Sequence, residues 1–421
     1  MRSHVGFSAL PGALLGLLTL MEGCTSQGPA PAPGPSSGLP PAVSRALLQR
    51  TPVDPALVAA DDGLGFRLMN DLRLAKPGSN LVLSPLSLGL ALDMAYAGAA
   101  GETRKAMTTA LQLGPVAGAG PEEANAALQA SLAPTDPGAR LRVANSLWTR
   151  QGVPLPSFLA LNETYYGAYV GDLAAAPAAV NAWAARQTQG QIPALLPPGC
   201  DCRKFDLLLV NTLCFNGTWR VPFQPALTGT GPFTRRDGSK VDCQLMHRTG
   251  LMAYSETSEY QAVRLGYGNG RFGMILVLPA PGVGLERVAA VGPVRCGAPA
   301  QALGHAVVQI ALPRFSCGSS EQLRGPLTAL GMGLAFDPAK ADFSAMATVP
   351  QAILAVVHQA RITVDEQGTL ATAGTAVQMA PTAVLADPRP MVLDRPFLVA
   401  IVDQTTSAVI FLGQVADPSA S

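Results

Sequence analysis

Residues 364–386 read VDEQGTLATAGTAVQMAPTAVLA, and no side chain after Glu366 in this stretch carries a charge. An uncharged run of this length is ordinarily a buried strand or helix. Here Gly368 and Gly374 weaken any regular element in the first half, and Pro381 interrupts the second. Because side chains alternate between the two faces of a strand, either face of this run could enter a sheet without burying a charge. The stretch therefore predicts a loop that can become a strand, and hence a protein with two states.

The rest of the chain separates into a helical part and a strand part. Ser84 followed by Pro85 is typical of a helix cap with proline at the first helical position, and predicts a helix that ends near Gly98. Residues 102–113 predict a second amphipathic helix. Short β-favouring runs follow at 207–215, 272–278, 306–312, 353–364, 396–402 and 408–413. Helices grouped early and strands grouped late indicate an α+β fold.

The loop and a series of short motifs follow one another in a specific order. The motifs include ANSLW at 144–148, NTLCFNGTW at 211–219, LPRF at 312–315 and RPF at 395–397. Their order and spacing resemble the serpin family of serine protease inhibitors, with residues 364–374 as its hinge and proximal reactive loop. The resemblance covers residues 55–418. It implies a single serpin-like α+β domain with about eight or nine helices, three β-sheets and an exposed reactive loop.

The resemblance also assigns roles to individual residues. The hinge would comprise Glu366, Gly368, Thr369, Ala371, Thr372, Ala373 and Gly374. Ser84, Asn211 and His358 resemble the shutter, a polar cluster beneath the central sheet where two strands part to admit the loop. Trp219 and Phe223 resemble the breach, where insertion begins. Without the resemblance, His358 would be a satisfied core histidine, and the two breach aromatics would equally be simple core packing.

Two counts disagree about the bond that a protease would cut. The usual family spacing from the hinge acid Glu366 gives Thr382-Ala383, whereas counting backward from Pro396 gives Leu385-Ala386, and Val384 is a further candidate. We predict Thr382-Ala383 because the central sheet fixes the inserted length, while extra residues can be absorbed after the cut. All candidates are small or aliphatic, which indicates an elastase-like or subtilisin-like target, or a chymotrypsin-like one if Leu385 is used.

The resemblance implies a suicide inhibitor and not an enzyme. The partner would be a serine protease, or a cysteine protease, that attacks the loop as a substrate, after which the upstream part of the loop inserts into the central sheet. The alternative is a non-inhibitory serpin-fold protein with a binding or structural role, for which charged or bulky hinge residues are expected. Asp365 and Glu366 form no catalytic pair, because adjacent residues of a strand point to opposite faces.

The first 42 residues predict export. Arg2 followed by the uncharged run 5–21 is typical of a signal peptide within residues 1–24. The sequence MEGC at 21–24 resembles the end of a bacterial lipoprotein signal, which implies a lipid anchor on Cys24, with plain secretion as the alternative. Residues 25–42 form a Pro/Gly/Ser-rich tether and 43–421 the serpin domain. We expect an extracytoplasmic protein, lipid-anchored to the cell envelope or secreted, whose only membrane contact is that anchor.

Composition excludes other classes of partner. The 421 residues include 29 basic and 28 acidic side chains, which argues against a strongly basic nucleic-acid-binding protein. The motif Cys200-Asp201-Cys202 resembles half a metal site, but the four scattered histidines offer nothing to complete it. We therefore expect no metal, no cofactor and no nucleic acid, and a monomeric protein.

Overall fold

Strands dominate the second half of the chain in the computed structural model. It describes residues 51–114, 120–133, 136–150, 153–197, 199–200, 202, 207–291, 303–353, 356–369 and 387–420. All of these residues belong to one compact unit, Ser36–Ser421. The statements below concern this described part of the chain.

Eight α-helices occur among the described residues, in agreement with the predicted number. They are α1 (Pro55–Ala75), α2 (Pro85–Tyr96), α3 (Gly101–Leu111), α4 (Pro121–Leu132), α5 (Pro156–Tyr166), α6 (Ala178–Gln187), α7 (Leu285–Val291) and α8 (Arg324–Ala329). Six of the eight precede residue 190, so the early grouping of helices is confirmed. No described helix combines the length and the hydropathy needed to cross a bilayer.

Fifteen strands form two hydrogen-bonded sheets. They are β1 (Leu81–Leu83), β2 (Ala139–Thr149), β3 (Tyr169–Asp172), β4 (Leu207–Thr218), β5 (Gly229–Thr234), β6 (Lys240–Glu256), β7 (Tyr260–Gly266), β8 (Phe272–Pro279), β9 (Gly304–Pro313), β10 (Phe315–Gln322), β11 (Val357–Val364), β12 (Gly368–Thr369), β13 (Arg389–Val392), β14 (Phe397–Asp403) and β15 (Val409–Val415). The six-stranded sheet has the order β10-β11-β12-β4-β2-β3. The nine-stranded sheet has the order β1-β15-β14-β8-β7-β6-β9-β13, with β5 also paired to β6.

Hydrogen bonding joins two of the three expected sheets into one. The cause is the 17-residue strand β6. Its first part pairs with β5, its middle pairs with β9 from Leu245 to Tyr254, and its last four residues pair with β7. One strand long enough to serve both groups therefore makes a single nine-stranded sheet where the sequence predicts two.

Helix α2 begins where the sequence predicts and packs against strands of both sheets. The Ser84 side chain accepts a hydrogen bond from the Ser87 backbone N–H at 3.1 Å, and Pro85 occupies the first helical position. All residues of α2 except Ala91 are buried, so the helix packs on every side. It lies against β4 and β15, between the two sheets. The helix ends at Tyr96, two residues before the predicted Gly98.

Buried carboxyl groups lie between α1 and α2. The Asn125 side-chain amide donates to Asp93 Oδ2 at 2.7 Å, and burial raises the pKa of Asp93 to about 7. Burial, followed by repulsion from Asp93, raises the pKa of Asp61 well above its ordinary value. Ionising both Asp61 and Asp93 in this buried position would cost much free energy. The contact between α1 and α2 is therefore most stable when these carboxyl groups are protonated.

Candidate functional site

The six-stranded sheet is split between β4 and β11. The two-residue strand β12 fills one end of the split: Gly368 pairs with Thr218, and Thr369 pairs with Gly217 on one side and Val364 on the other. The outer edges of the two flanking strands are occupied, since β4 pairs with β2 and β11 pairs with β10 along their lengths. Beyond β12, the facing edges of β4 and β11 pair with no residue in the described part of the chain.

A tight turn directs the chain into the split. The Asp365 carboxylate accepts hydrogen bonds from the backbone N–H groups of Gln367 at 2.8 Å and Gly368 at 3.1 Å. Gly368 has a φ of +153°, and a Cβ at this position would lie 1.9 Å from the carbonyl oxygen of Gly217. Only glycine fits there, because the backbone of β4 approaches too closely for any side chain.

A salt bridge holds the predicted hinge acid, Glu366, at the mouth of the split, which is the end that β12 fills. Arg314 donates to the Glu366 carboxylate through Nε at 2.8 Å and also contacts it through a terminal nitrogen at 2.6 Å. The Thr228 hydroxyl donates to the same group at 2.5 Å. Burial by itself would raise the pKa of Glu366, but the bonds from Arg314 and Thr228 outweigh it and lower the pKa below its ordinary value. The backbone N–H of Phe223 donates to the Glu366 carbonyl at 3.0 Å, which ties the hinge to the end of β4.

Trp219 closes the same end of the split. Its indole stacks on the Tyr267 ring with centroids 4.4 Å apart and planes 12° apart. The indole N–H donates to the Asp365 carbonyl at 2.9 Å, and the Trp219 backbone N–H donates to the Gln367 carbonyl at 2.8 Å. The predicted breach residue is therefore fastened directly to the predicted hinge.

The Thr369 side chain faces inward, toward the second aromatic of this group. Its hydroxyl shares a hydrogen bond with the Tyr267 hydroxyl, and Thr369 is 3% exposed. Burial raises the pKa of Tyr267, so the phenol keeps its proton. Phe223 completes the group edge-to-face against Trp219 at 6.3 Å between ring centroids. The structure thus brings Thr369, Trp219 and Phe223 together around a tyrosine that the sequence analysis did not select.

The three predicted shutter residues belong to one polar network beneath the split. The Ser84 backbone N–H donates to His358 Nε2 at 3.0 Å, which connects α2 to β11. Ser87, one turn into α2, donates from its hydroxyl to Asn211 Oδ1 on β4. The Asn211 amide in turn donates to Asn145 Oδ1 on β2 at 2.6 Å. The start of α2 therefore holds both flanking strands of the split.

His358 takes part in this network as a neutral acceptor. Burial lowers the pKa of His358 to about 4, because the imidazolium would lose its hydration. A cavity of about 120 Å³ lies next to the imidazole. It is lined by Ser87, Asn211 and His358 and by apolar side chains that include Leu196 and Ile353. The polar network thus borders empty space that lies along the split.

Part of the predicted site falls outside the described residues. These positions are Ala371, Thr372, Ala373 and Gly374 of the hinge, the reactive-bond candidates Thr382, Ala383, Val384, Leu385 and Ala386, and the anchor Cys24. No group of histidine, cysteine and acidic side chains suited to a metal ion occurs among residues 51–420 where they are described.

Sequence reasoning missed four residues that complete the site. Arg314 lies within the quoted motif LPRF and Asn145 within ANSLW, but their partners Glu366 and Asn211 are distant in sequence. Tyr267 and Ser87 lie in none of the quoted motifs, and each acquires its role only through contacts made in the folded protein. The position of Arg314 directly after β9 could have suggested an ion pair for the hinge acid.

Comparisons with known proteins agree with this architecture. A family model described as Serpin (serine protease inhibitor) matches residues 59–418. An uncharacterized serpin-like protein of Thermococcus kodakarensis is 31% identical, covering 96% of this chain and 97% of its own length. Leukocyte elastase inhibitor of Bos taurus is 30% identical, with 86% of this chain and 99% of that protein covered.

Two solved structures match the fold. Native protease nexin-1 with heparin aligns with a TM-score of 0.77 at 25% identity, over 86% of this chain and all of that one. Human thyroxine-binding globulin aligns with a TM-score of 0.74 at 23% identity, over 86% of this chain and 98% of that one, a likeness of fold alone. These matches confirm the predicted α+β fold class.

His358→Gln should remove a contribution to the free energy of unfolding that changes between about pH 6.5 and pH 4. The unfolded histidine titrates at its ordinary pKa and the folded one only at about 4, so the unfolded state binds more protons in this window. In the wild-type protein, the contribution of His358 to the free energy of unfolding therefore falls by up to about 3 kcal/mol as the pH drops from 6.5 to about 4. A glutamine in place of His358 can still accept from Ser84 but does not titrate.

Denaturant titrations of both proteins across this pH range would measure the difference. His247→Gln, on β6 of the other sheet, is the matched control and should keep the wild-type pH dependence. An equal pH dependence in wild type and His358→Gln would show that His358 is not held neutral by burial.

Proposed function

The chain belongs to the serpin family of serine protease inhibitors, and we propose that it is itself an inhibitor that traps its target protease by inserting a cleaved loop into the split between β4 and β11. Its family is one of protease inhibitors and not of enzymes. One observation carries the proposal: two parallel strand edges face each other, and the first residues of the loop, Gly368 and Thr369, already lie between them. A strand entering there finds backbone partners on both sides.

The register of β12 predicts where the rest of the loop would pair. Because Gly368 faces Thr218 and Thr369 faces Gly217, each further loop residue would face the preceding residue of β4. By the same count against β11, Thr375 would come between Asn211 and His358. Thr375 also shares the inward face with Thr369, since six residues separate them and strand side chains alternate. The inserted hydroxyl would therefore reach the polar network at the start of α2.

Insertion would be favourable once the loop is cut. The protease would attack the scissile carbonyl and remain joined to the upstream segment as an acyl enzyme. The peptide bond to the downstream segment would break, and β13, β14 and β15 of that segment would stay in the nine-stranded sheet. The freed strand would then satisfy the two facing backbone edges and bury the uncharged face of the loop. The protease, still attached to the strand end, would be carried away from the position where water could complete its reaction. Catalytic residues belong to the partner throughout.

The residues around the cut favour a target with a pocket for small or aliphatic side chains. Thr382-Ala383 is the proposed reactive bond, with Leu385-Ala386 and Val384 as alternatives. An elastase-like, subtilisin-like or chymotrypsin-like serine protease fits these side chains, and a cysteine protease is a second class of target. A relative named leukocyte elastase inhibitor, 30% identical to this chain, supports an elastase-like target. We further infer that the inhibitor acts as a monomer.

A non-inhibitory role is the second candidate, favoured by the shared fold of thyroxine-binding globulin. The hinge argues against it, because residues 369–374 are small or uncharged and can enter a sheet without burying a charge. Incubation with elastase-like and subtilisin-like proteases separates the two. An inhibitor yields a covalent complex that survives denaturing electrophoresis, whereas a binding protein yields only intact or cleaved chain.

Localisation is proposed from the first 42 residues. We infer that Cys24 carries a lipid that holds the domain at the outer side of a membrane through the tether at 25–42, or that the chain is secreted without it. Residues 25–42, rich in Pro, Gly and Ser, would behave as an extended spacer of roughly 3 Å per residue.

Thr369→Arg should convert the inhibitor into a substrate. Thr369 is buried between β4 and β11, so an arginine there would have to bury an unpaired charge for the loop to insert. The protease should still cut the loop, but denaturation-stable complexes should disappear. Leu370→Arg is the matched control, because the next residue of a strand points to the other face and should tolerate the same charge. Trapping by Thr369→Arg at the wild-type stoichiometry would contradict insertion at this site.

The peptide released from a trapped complex should begin at Ala383. Mass spectrometry of that peptide identifies the bond directly, and a first residue of Ala386 would instead favour the backward count. Arg389 lies between Pro388 and Pro390, which disfavours cleavage after it. Rapid stoichiometric inhibition of trypsin with release at Pro390 would overturn this assignment.

Cys24→Ser should move the protein from the membrane fraction to the soluble extracytoplasmic fraction. The predicted anchor depends on that one side chain, so its loss leaves no lipid to bind the bilayer. Cys243→Ser, within β6, is the control and should fractionate like the wild type. Wild-type protein that is soluble and carries an unmodified Cys24 would remove the anchor proposal and leave the inhibitor proposal unaffected.

A further inference from the structure

Two cysteine side chains touch in the linker between α6 and β4. Cys200 and Cys202 are both thiols, and their sulfur atoms lie 3.2 Å apart. The Cys202 backbone N–H donates to the Cys200 carbonyl at 3.0 Å, so the backbone as well as the side chains holds the two residues together. A disulfide bond has a length of about 2.05 Å, so a small rotation of the two side chains suffices to form one.

The other described cysteines lie in different surroundings. The Cys214 sulfur accepts from the Gln191 amide at 2.6 Å, and the Cys317 sulfur lies 3.4 Å from the carbonyl of Leu81. Burial raises the pKa of Cys214 and Cys243, and raises that of Cys317 to about 12, which suppresses their thiolates. Among the described residues, Cys200 and Cys202 are the cysteines whose sulfur atoms lie in contact, so this pair is the place where a disulfide can form within one chain.

We propose that Cys200 and Cys202 form a redox-active dithiol that closes to a disulfide by exchange with a small external disulfide, and that this bond sets how readily the split admits the loop. The half-buried Cys200 would attack first as a thiolate, bonding to one reagent sulfur and expelling the other as a thiolate. Cys202, 4% exposed, would then lose its proton and attack the Cys200 sulfur, expelling the second reagent thiolate. Two protein thiols are oxidised, one reagent disulfide is reduced to two thiols, and the two protons pass to the leaving groups.

The linker carries this pair to the wall of the cavity. Cys202 packs in one apolar cluster with Leu196, Val210 and Trp183, and Leu196 and Val210 also line the cavity beside His358. Asn181 on α6 fixes the linker by accepting from the backbone N–H of Leu196 at 2.8 Å and donating to its carbonyl at 2.9 Å. Leu196 therefore joins the cluster that holds Cys202 to the cavity that borders the split, so a constraint at Cys202 acts next to this opening.

The regulatory half of this inference rests on the proposed function, whereas the thiol chemistry does not. A disulfide would remove conformational freedom from Cys202 and from the apolar cluster that it shares with Leu196 at the wall of the cavity. We therefore expect the rate of protease trapping to differ between the two redox forms. The reduced form should trap faster.

The chemistry is tested on the full chain without any protease. Wild-type protein would be equilibrated with oxidised glutathione, alkylated after denaturation and mapped by mass spectrometry. Residues 200 and 202 should escape alkylation and occur in one peptide lighter by two hydrogen atoms, while Cys214, Cys243 and Cys317 are alkylated. Reduced glutathione should restore both thiols. Failure of the pair to oxidise, or bonding of either cysteine to a third, would overturn the proposal.

Single variants separate the roles of the two sulfurs. Cys202→Ser should retain a glutathione adduct on Cys200, since the resolving thiol is absent, whereas Cys200→Ser should leave the buried Cys202 unmodified. Cys243→Ser is the control and should form the disulfide like the wild type. An adduct on Cys202 in Cys200→Ser would show that the assigned order of attack is wrong.

The regulatory effect is then measured by reacting oxidised and reduced wild type with an elastase-like protease. A trapping-rate difference that Cys202→Ser abolishes supports the coupling, and equal rates in the two forms would overturn it. If neither form traps a protease, the proposed function fails and the coupling fails with it, while the disulfide mapping still decides the redox chemistry.

Discussion

The structure depends on a sheet that is paired at both margins and nearly unpaired at its centre. Strands β4 and β11 are fully engaged with their outer neighbours, yet across the split only Gly368 and Thr369 connect them within the described residues. Backbone N–H and C=O groups are strong hydrogen-bonding groups, and facing strand edges invite another strand. The other contacts of the site lie around that central position. Under the proposed function, the ionic and aromatic contacts would determine where a strand starts, and the polar network would determine whether the flanking strands can part.

The two ends of the split are held by opposite electrostatic arrangements. At the mouth, Glu366 stays ionised despite burial, because Arg314 and Thr228 supply charged and neutral donors. At the other end, His358 stays neutral because burial opposes its charge. Helix α2 adds a third titrating region, where burial favours the protonated forms of Asp61 and Asp93. Protonation of His358 weakens its contribution to stability as the pH falls from 6.5 to about 4, whereas ionisation of Asp93 weakens the contribution of the carboxyl pair as the pH rises from 3.8 to about 7. The two effects therefore oppose each other over the same acidic range.

Control of the split also reaches the face covered by α6. The linker after α6 contributes Leu196 to the cavity and Cys202 to the apolar cluster beneath it. A polar network can be broken and remade in place, whereas a covalent bond between two residues of the linker persists until a thiol reduces it. Proteolysis of the loop and oxidation of the linker would therefore act on the same sheet opening by different chemistry, one irreversible and the other reversible.

The sequence by itself determined the features that depend on neighbours along the chain. The Ser84 cap and Pro85 placed the start of α2, and short β-favouring runs placed strands, because caps, turns and strand periodicity act over a few residues. The uncharged composition after Glu366 predicts the loop. The resemblance then selected Trp219, Asn211 and His358 as site residues. Only the tertiary structure decided their partners. Tyr267 stacks on Trp219, which lies 48 positions earlier in the chain, and Arg314 and Asn145 likewise contact residues that are distant in sequence. Such contacts have no local signal, since the free energy that selects them arises only when the sheets and α2 have packed.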